Sequence, residues 1–477
     1  MDIPFLRSPK DQPKSAPDAT SALIIALHAA ALLLYFVKPL YGAALMAVAV
    51  AVAMSLARPL VIAAFCMAFL WVNAVMGDFM PTTQFTAWKD VLLLLVLGGW
   101  LMRCIALRRP LVIRHRIAIP LTLIVLYFFA MCVLTPDYRQ AILGLKNTVF
   151  YMAWFYVLPD MVRSKDDVRT LLAAILFGAF CLGVYDVWRS TMPIGYFPPG
   201  RDGRTLPGAL MLHFSGTSIF LAPGVILAIA TAPSYRSWHR VLVYVVVMIA
   251  LAGIIAALAR GVWACTSIAF AGMMIWSRRT QLVQAAVLAL IAASVVQAVF
   301  PLNVAERAAS AFDTEDVSRN DRELEFSTVT LPFVLSHPFG AGTGSMSAVG
   351  SIQVWGGGSP ADMLLGRGRI HNGFLLVAIE LGWLGLGIYL WFLGTVLYTS
   401  MELYRNSRDP YIRDLALGLF GVMIFFVIYN FSGPMLTTPL FSYNIWALVG
   451  LLVILPSLDD APALEAAPVA IAAGAKA

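Results

Sequence analysis

Charge is what this sequence has least of. Only 12% of its 477 residues are Asp, Glu, Lys or Arg, against about 25% in a soluble globular domain. A chain of this length cannot cover a water-facing surface with so few polar groups. Cysteine is also scarce. Cys66, Cys104, Cys132, Cys181 and Cys265 all fall in or beside apolar runs, and none belongs to a CxxC pair. That pattern argues against a disulfide framework or a thiolate metal centre and for small buried hydrophobes. The first 19 residues mix Asp, Lys, Arg and Pro without a compact signal-peptide pattern, so the first apolar run is expected to be retained. No basic stripe is interleaved with stacking aromatics. The net charge of +7 therefore reads as anchoring beside anionic lipid headgroups, with no nucleic-acid partner.

What the chain has in excess is apolar residues, 60% of the total, with a mean hydropathy of +0.81. They gather in runs near the roughly 17–25 residues that cross a bilayer as a helix: 20–37, 41–57, 60–76, 88–106, 117–134, 145–163, 168–188, 209–232, 239–257, 261–276, 281–299, 372–398, 413–431 and 440–456. Closely spaced pairs such as 41–57 and 60–76 also fit a single broken helix. The expected fold is thus an all-α polytopic membrane protein, a bundle of 12–14 transmembrane helices. With the N-terminus inside and every run crossing, twenty of the 33 lysines and arginines fall on the cytoplasmic side, eight in short outer connections and five in one long outer loop. This is the positive-inside bias, from which long loops are exempt. It predicts an inner-membrane protein with both termini cytoplasmic. The chain then divides into a cytoplasmic tail (1–19), an N-terminal transmembrane part (20–299), a large helical periplasmic loop (300–371), C-terminal transmembrane helices (372–456) and a disordered cytoplasmic tail (457–477).

Two outer segments stand out. Residues 189–208 are dense in Gly and Pro and carry Arg189, Arg201 and Arg204. Residues 300–371 are far longer than the 2–8 residues that usually join bundle helices, and loops of that length are commonly functional. Within the long loop, helical patterns over roughly 304–312 and 322–335 precede SHPFGAGTGSMSAVG, which begins at Ser336. Pro338 is expected to end the second helix and to leave His337 at its exit, before glycines that permit positive φ and close backbone approach. GAGTG is not a dinucleotide loop, because no strand precedes it and the spacing is wrong. His115 and His239 belong to basic cytoplasmic loops, where solvation explains them. His28 and His213 lie within apolar runs, where a buried hydrogen bond does. His337 and His371 are the outer pair, and a histidine suits proton transfer near neutrality. Arg260 interrupts two apolar runs on the outer side. Together with Arg201 and Arg204 it resembles a phosphate site at headgroup level, although a snorkelling side chain would look the same. The acidic run Asp313, Glu315, Asp316, Asp321, Glu323 and Glu325 interleaves with Arg319 and Arg322, and solvated local salt bridges explain it better than a metal site.

At these residues the chain resembles the superfamily of bacterial envelope glycosyltransferases that contains the O-antigen ligases and O-antigen polymerases. The matching blocks are SHPFGAGTGS (336–345), RIHNGFLLVAIELGWLGLGIYL (369–390), GRTLPGALMLHFSGTSIFLAPGVILAIA from Gly203 and ALARGVWACTSIAFAGMMIW from Ala257. They occur in the family's order across roughly 200–390. Ala259 stands where the family often has serine. The resemblance implies metal-independent transfer of a glycan from an undecaprenyl-diphosphate donor to an acceptor hydroxyl, without a cofactor. The acceptor would be a lipid A-core sugar for a ligase, favoured slightly, or a lipid-linked glycan for a polymerase. It implies His337 as general base, Arg204 (or Arg201) and Arg260 as the diphosphate clamp, and His371, Arg322 and Arg369 as weaker contacts. The rival from another class is an envelope lipid transporter, whose marks would be paired charges deep in the membrane and internal repeats.

Overall fold

The computed structural model describes residues 58–70, 72, 88–106, 113–135, 137–190, 215–277, 281–299, 308–309, 322–323, 325–345, 370–436 and 439–459. Among them all regular structure is helical. In chain order the helices are α1 (Pro59–Ala68), α2 (Trp88–Ala106), α3 (Ala118–Met131), α4 (Tyr138–Met161), α5 (Lys165–Ser190), α6 (Ser215–Thr231), α7 (Ser237–Ala256), α8 (Arg260–Ser277), α9 (Gln281–Val299), α10 (Leu331–Ser336), α11 (Gly373–Asn406), α12 (Pro410–Tyr429) and α13 (Pro439–Asp459). Seven segments among the described residues are long and apolar enough to cross a membrane: α4, α5, Thr217–Ser234, α7, α11, α12 and Phe441–Asp459. The chain is a multi-pass, all-α membrane protein. The expected spans 20–37 and 41–57 lie outside the described residues.

The helices are buried where they meet and apolar where they do not. Ile105, Leu126, Val241, Ile275 and Leu290 are exposed, as side chains facing acyl chains must be. Thr217–Ser234 is the most enclosed of the spanning segments, with 83% of its apolar window buried. Small residues let backbones come close, the usual way to pack helices in lipid. A Cβ at Gly183 would stand 2.9 Å from Ile249 O, and one at Gly450 2.9 Å from Trp154 O.

One end of the bundle is tied by charges. Arg116 pairs with Glu402, and Lys165 with Asp409 at 2.5 Å. Asp409 also caps α12 by accepting from Tyr411 N and Ile412 N. Burial disfavours the Asp409 carboxylate, but the Lys165 ammonium and these N–H groups outweigh that and lower its pKa. Asp459 accepts from Ser407 Oγ and Asp409 N. This is the end that the charge bias assigns to the cytoplasm.

The other end is organised by a break. Gly382, inside α11, has φ 68° and ψ −172°, and the non-helical residue interrupts the backbone ladder. The glycine-rich turn after α10 fills the gap. Ala341 N donates to Ile379 O at 2.7 Å, Gly342 N to Glu380 O at 3.0 Å, and Trp383 N to Pro338 O at 3.0 Å. The turn continues onto α3, where Thr343 Oγ1 donates to Phe128 O and Thr135 Oγ1 donates to Thr343 O. It ends against α4, where a Cβ on Gly144 would stand 2.5 Å from Gly344 Cα. Gly340, Gly342 and Gly344 all have positive φ, which only glycine adopts freely. The blocks 336–345 and 369–390, separate in sequence, are two halves of one joint.

Two predictions follow from these ends. Gly382→Ala forces a left-handed residue, costing roughly 1–2 kcal/mol, and also drives a Cβ into Phe339 and Pro338. Its thermal midpoint in detergent should fall by several degrees, whereas Gly387→Ala, which has open space around it, should leave the midpoint unchanged. The second concerns His115, which is not freely solvated as its loop suggested: it is half-buried and accepts from Ile117 N at 3.2 Å. Burial and the Arg116 guanidinium push its pKa down to about 4, against the pull of Glu402. The folded state therefore holds the neutral ring. That contribution is complete above about pH 6.5, where the unfolded imidazole titrates, and is lost as pH falls toward about 4. His115→Asn, which keeps an acceptor but does not titrate, should flatten the decline in thermal midpoint across that window.

Candidate functional site

The outer part of α11 organises the candidate site. Asn372 caps the helix by accepting from Phe374 N and Leu375 N, and this fixes His371 immediately before the first turn. Glu325 then holds His371 at two points. Its Oε1 accepts from His371 N at 3.1 Å and its Oε2 from His371 Nδ1 at 2.7 Å. A carboxylate can only accept, so Nδ1 carries the proton and Nε2 of the neutral ring keeps its lone pair. Glu325 directly precedes a wide π-helical turn, Phe326–Thr330, that leads into α10. Val334 of α10 packs with Ile370, Leu376, Ala378 and Ile379, which holds the segment alongside α11.

The head of α11 rests on the turn that follows α12. Gly373 N donates to Asn430 O at 2.6 Å, and Asn430 is fully buried and donates to Phe426 O. The same turn meets the head of α8. A Cβ at Gly261 would lie 3.8 Å from Ser432 Oγ and 3.9 Å from Tyr429. Arg260, the first residue of α8, is half-buried. Its hairpin is set by Leu258, a non-glycine residue at φ 52°, and by Trp263 Nε1 donating to Ile254 O at 2.9 Å. The residues 429–433 therefore contact the heads of both α11, through Gly373, and α8, through Gly261; His371 precedes the first of these glycines by two residues and Arg260 the second by one.

His337 lies elsewhere. As expected, α10 ends just before it, with His337 N donating to Phe333 O. Its ring stacks on Phe333 with centroids 4.1 Å apart, and Nδ1 lies 2.9 Å from Ser336 Oγ and 3.2 Å from Phe333 O. The carbonyl again assigns the proton to Nδ1. The ring is exposed, but it sits over the Gly382 joint, at the far end of the outer segment of α11 from His371. Ten residues from Asn372 to Gly382 at 1.5 Å rise separate the two by roughly 15 Å. Arg322 is described and exposed, one turn before Glu325. Arg201, Arg204 and Arg369 lie outside the described residues.

The residue that sequence reasoning missed is Glu325. It looked like one member of a solvated acidic run, yet it reaches a histidine 46 positions away, and no local spacing signals such a contact. No family model matches the chain, and no curated protein matches it. The likeness to envelope glycosyltransferases therefore rests on the motifs quoted above.

The Glu325–His371 pair should stabilise the outer segment by about 1–2 kcal/mol, as hydrogen bonds to charged groups do. Glu325→Ala should then speed limited proteolysis between α9 and α11 by roughly five- to thirtyfold, with Arg322→Ala cleaved at the wild-type rate. Equal rates in both variants would remove the pair from any positioning role.

Proposed function

We propose that the protein is a glycosyltransferase of the O-antigen ligase and polymerase type, moving a glycan from a polyprenyl diphosphate to an acceptor hydroxyl at the periplasmic face of the inner membrane. The observation that carries this reading is the carboxylate-held histidine just before α11, whose head meets the same 429–433 turn as the head of α8, where Arg260 stands. An acceptor hydroxyl must lose a proton as its oxygen attacks the anomeric carbon. The bond from that carbon to the diphosphate oxygen breaks at the same time, so a single displacement inverts the centre. His371 Nε2 takes the proton, which is the work of a general base, and Glu325 holds the ring and favours the imidazolium that forms. Arg260 faces the negative charge that builds on the departing diphosphate, and Arg204 or Arg201 joins it from the 189–208 segment.

This reading moves the base from His337 to His371. Both histidines offer a free Nε2, but only His371 has a carboxylate partner and stands at a helix head that meets the same turn as the head of α8. His337 and Arg369 are left to contact acceptor or donor sugars. A ligase, with lipid A-core as acceptor, keeps its slight lead over a polymerase.

Reconstituted protein given a defined undecaprenyl-diphosphate glycan and two acceptors, core lipid and lipid-linked repeat, tests the proposal. Transfer should fall by about a hundredfold or more in His371→Ala, the usual scale for losing a general base. His337→Ala should lose less than tenfold, and a chelator should have no effect. The reverse order of the two histidines would return the base role to His337. Glycan crossing the bilayer without a covalent product would identify a transporter instead.

A further inference from the structure

A second group of charges lies away from that site, where α2 meets α4. Asp90, in the first turn of α2, accepts from three donors. Tyr151 Oη donates to Oδ1 at 2.5 Å, Lys89 Nζ stands 3.3 Å from the same oxygen, and Lys146 Nζ stands 2.7 Å from Oδ2. Lys89 and Asp90 are buried, but the Lys146 side chain is 42% exposed. Of its three N–H bonds, one is used by Asp90, and no other protein acceptor meets it among the described residues.

The register of the two helices fixes the depth of the cluster. The head of α2 abuts α4 at Lys146 and Tyr151, so the first eight residues of α4 rise about 12 Å beyond it. Those residues pack against the glycine-rich turn through Gly144. Toward the bundle middle, Leu94 on α2, one turn after Asp90, is 55% exposed. The Lys146 ammonium thus lies outward of the exposed apolar face of α2 that carries Leu94. A snorkelling lysine reaches freely for water. Lys146 is instead tethered by a carboxylate whose charge is already shared with Lys89 and Tyr151.

We propose that Lys146, braced by Asp90 and backed by Lys89, forms a binding site for the phosphate group of a membrane lipid, separate from the Arg260 rim. The phosphate oxygens accept the N–H bonds that Asp90 leaves over, and the lipid chain lies along Leu94. Charge-assisted bonds of this kind are the strong class of hydrogen bond. The site depends on the membrane assignment alone and not on the transfer reaction.

Native mass spectrometry of the delipidated full chain, titrated with phosphatidylglycerol, undecaprenyl phosphate or uncharged diacylglycerol, tests it. One phosphate-bearing lipid should bind in preference to diacylglycerol. Lys146→Gln should weaken it about tenfold, the scale of one charge-assisted bond, while Lys146→Arg binds as wild type. Stronger binding of phosphatidylglycerol would mark a general headgroup site, and stronger binding of undecaprenyl phosphate a substrate-side site. Displacement by inorganic pyrophosphate reports the shared phosphate chemistry. In the wild-type protein the bound lipid should slow amine-reactive labelling of Lys146, a readout that needs no variant. Equal titrations for wild type and Lys146→Gln, or unprotected labelling of Lys146 at saturating lipid, would overturn the proposal.

Discussion

Within a bilayer, a helix that stops hydrogen-bonding to itself must find partners in the protein, because the hydrocarbon offers none. Gly382 creates that demand in α11, and the 338–344 turn meets it. The break leaves Ile379 O and Glu380 O to accept from the turn, and Trp383 N to donate into it. The described residues 325–345 depend on this exchange. It fixes the segment after Glu325 against the outer part of α11, and it locks that segment to α3 and α4 through Thr343 and Gly344. A loop held this way is a rigid part of the fold rather than a flap over it.

Rigidity at the joint has a chemical consequence ten residues away. The outer part of α11 extends from Gly382 to the Asn372 cap, and Glu325 can reach His371 only because α10 and the π-helical turn are pinned alongside. The 429–433 turn then meets both the head of α11 and the head of α8, which begins at Arg260. Catalytic groups held on helix ends by a packed second layer are better placed than groups on free loops. The Lys146 cluster uses the same framework: α4 carries both Gly144, which receives the turn, and Lys146, two residues on. The strongly charged features of the outer half thus hang on two helices, α4 and α11, that the glycine-rich turn ties together.

Much of the fold was legible in the sequence because hydrophobicity in a membrane protein is read one helix at a time. The runs near 239–257 and 413–431 became α7 and α12 with boundaries shifted by a few residues, and the run near 145–163 became α4, which starts earlier, at Tyr138. The end of α10 before Pro338 and the left-handed glycines at 340, 342 and 344 were also readable, since proline and glycine act on their own backbone. The site was less legible. Lys89 and Lys146 looked like ordinary charges in short connections, and Glu325 like a solvated acid. Each acquires its meaning from a partner on another helix.

The sequence by itself determined that the chain spans a membrane many times, where its helices run, and which residue types stand at its outer loops. Composition and period suffice for that, because lipid imposes the same requirement on every turn of helix. Only the tertiary structure decided that His371 takes a carboxylate, and that two lysines from different helices share Asp90. Those choices depend on the rotation and register of packed helices, set by close glycine contacts and by the break at Gly382. No local spacing in the chain encodes them.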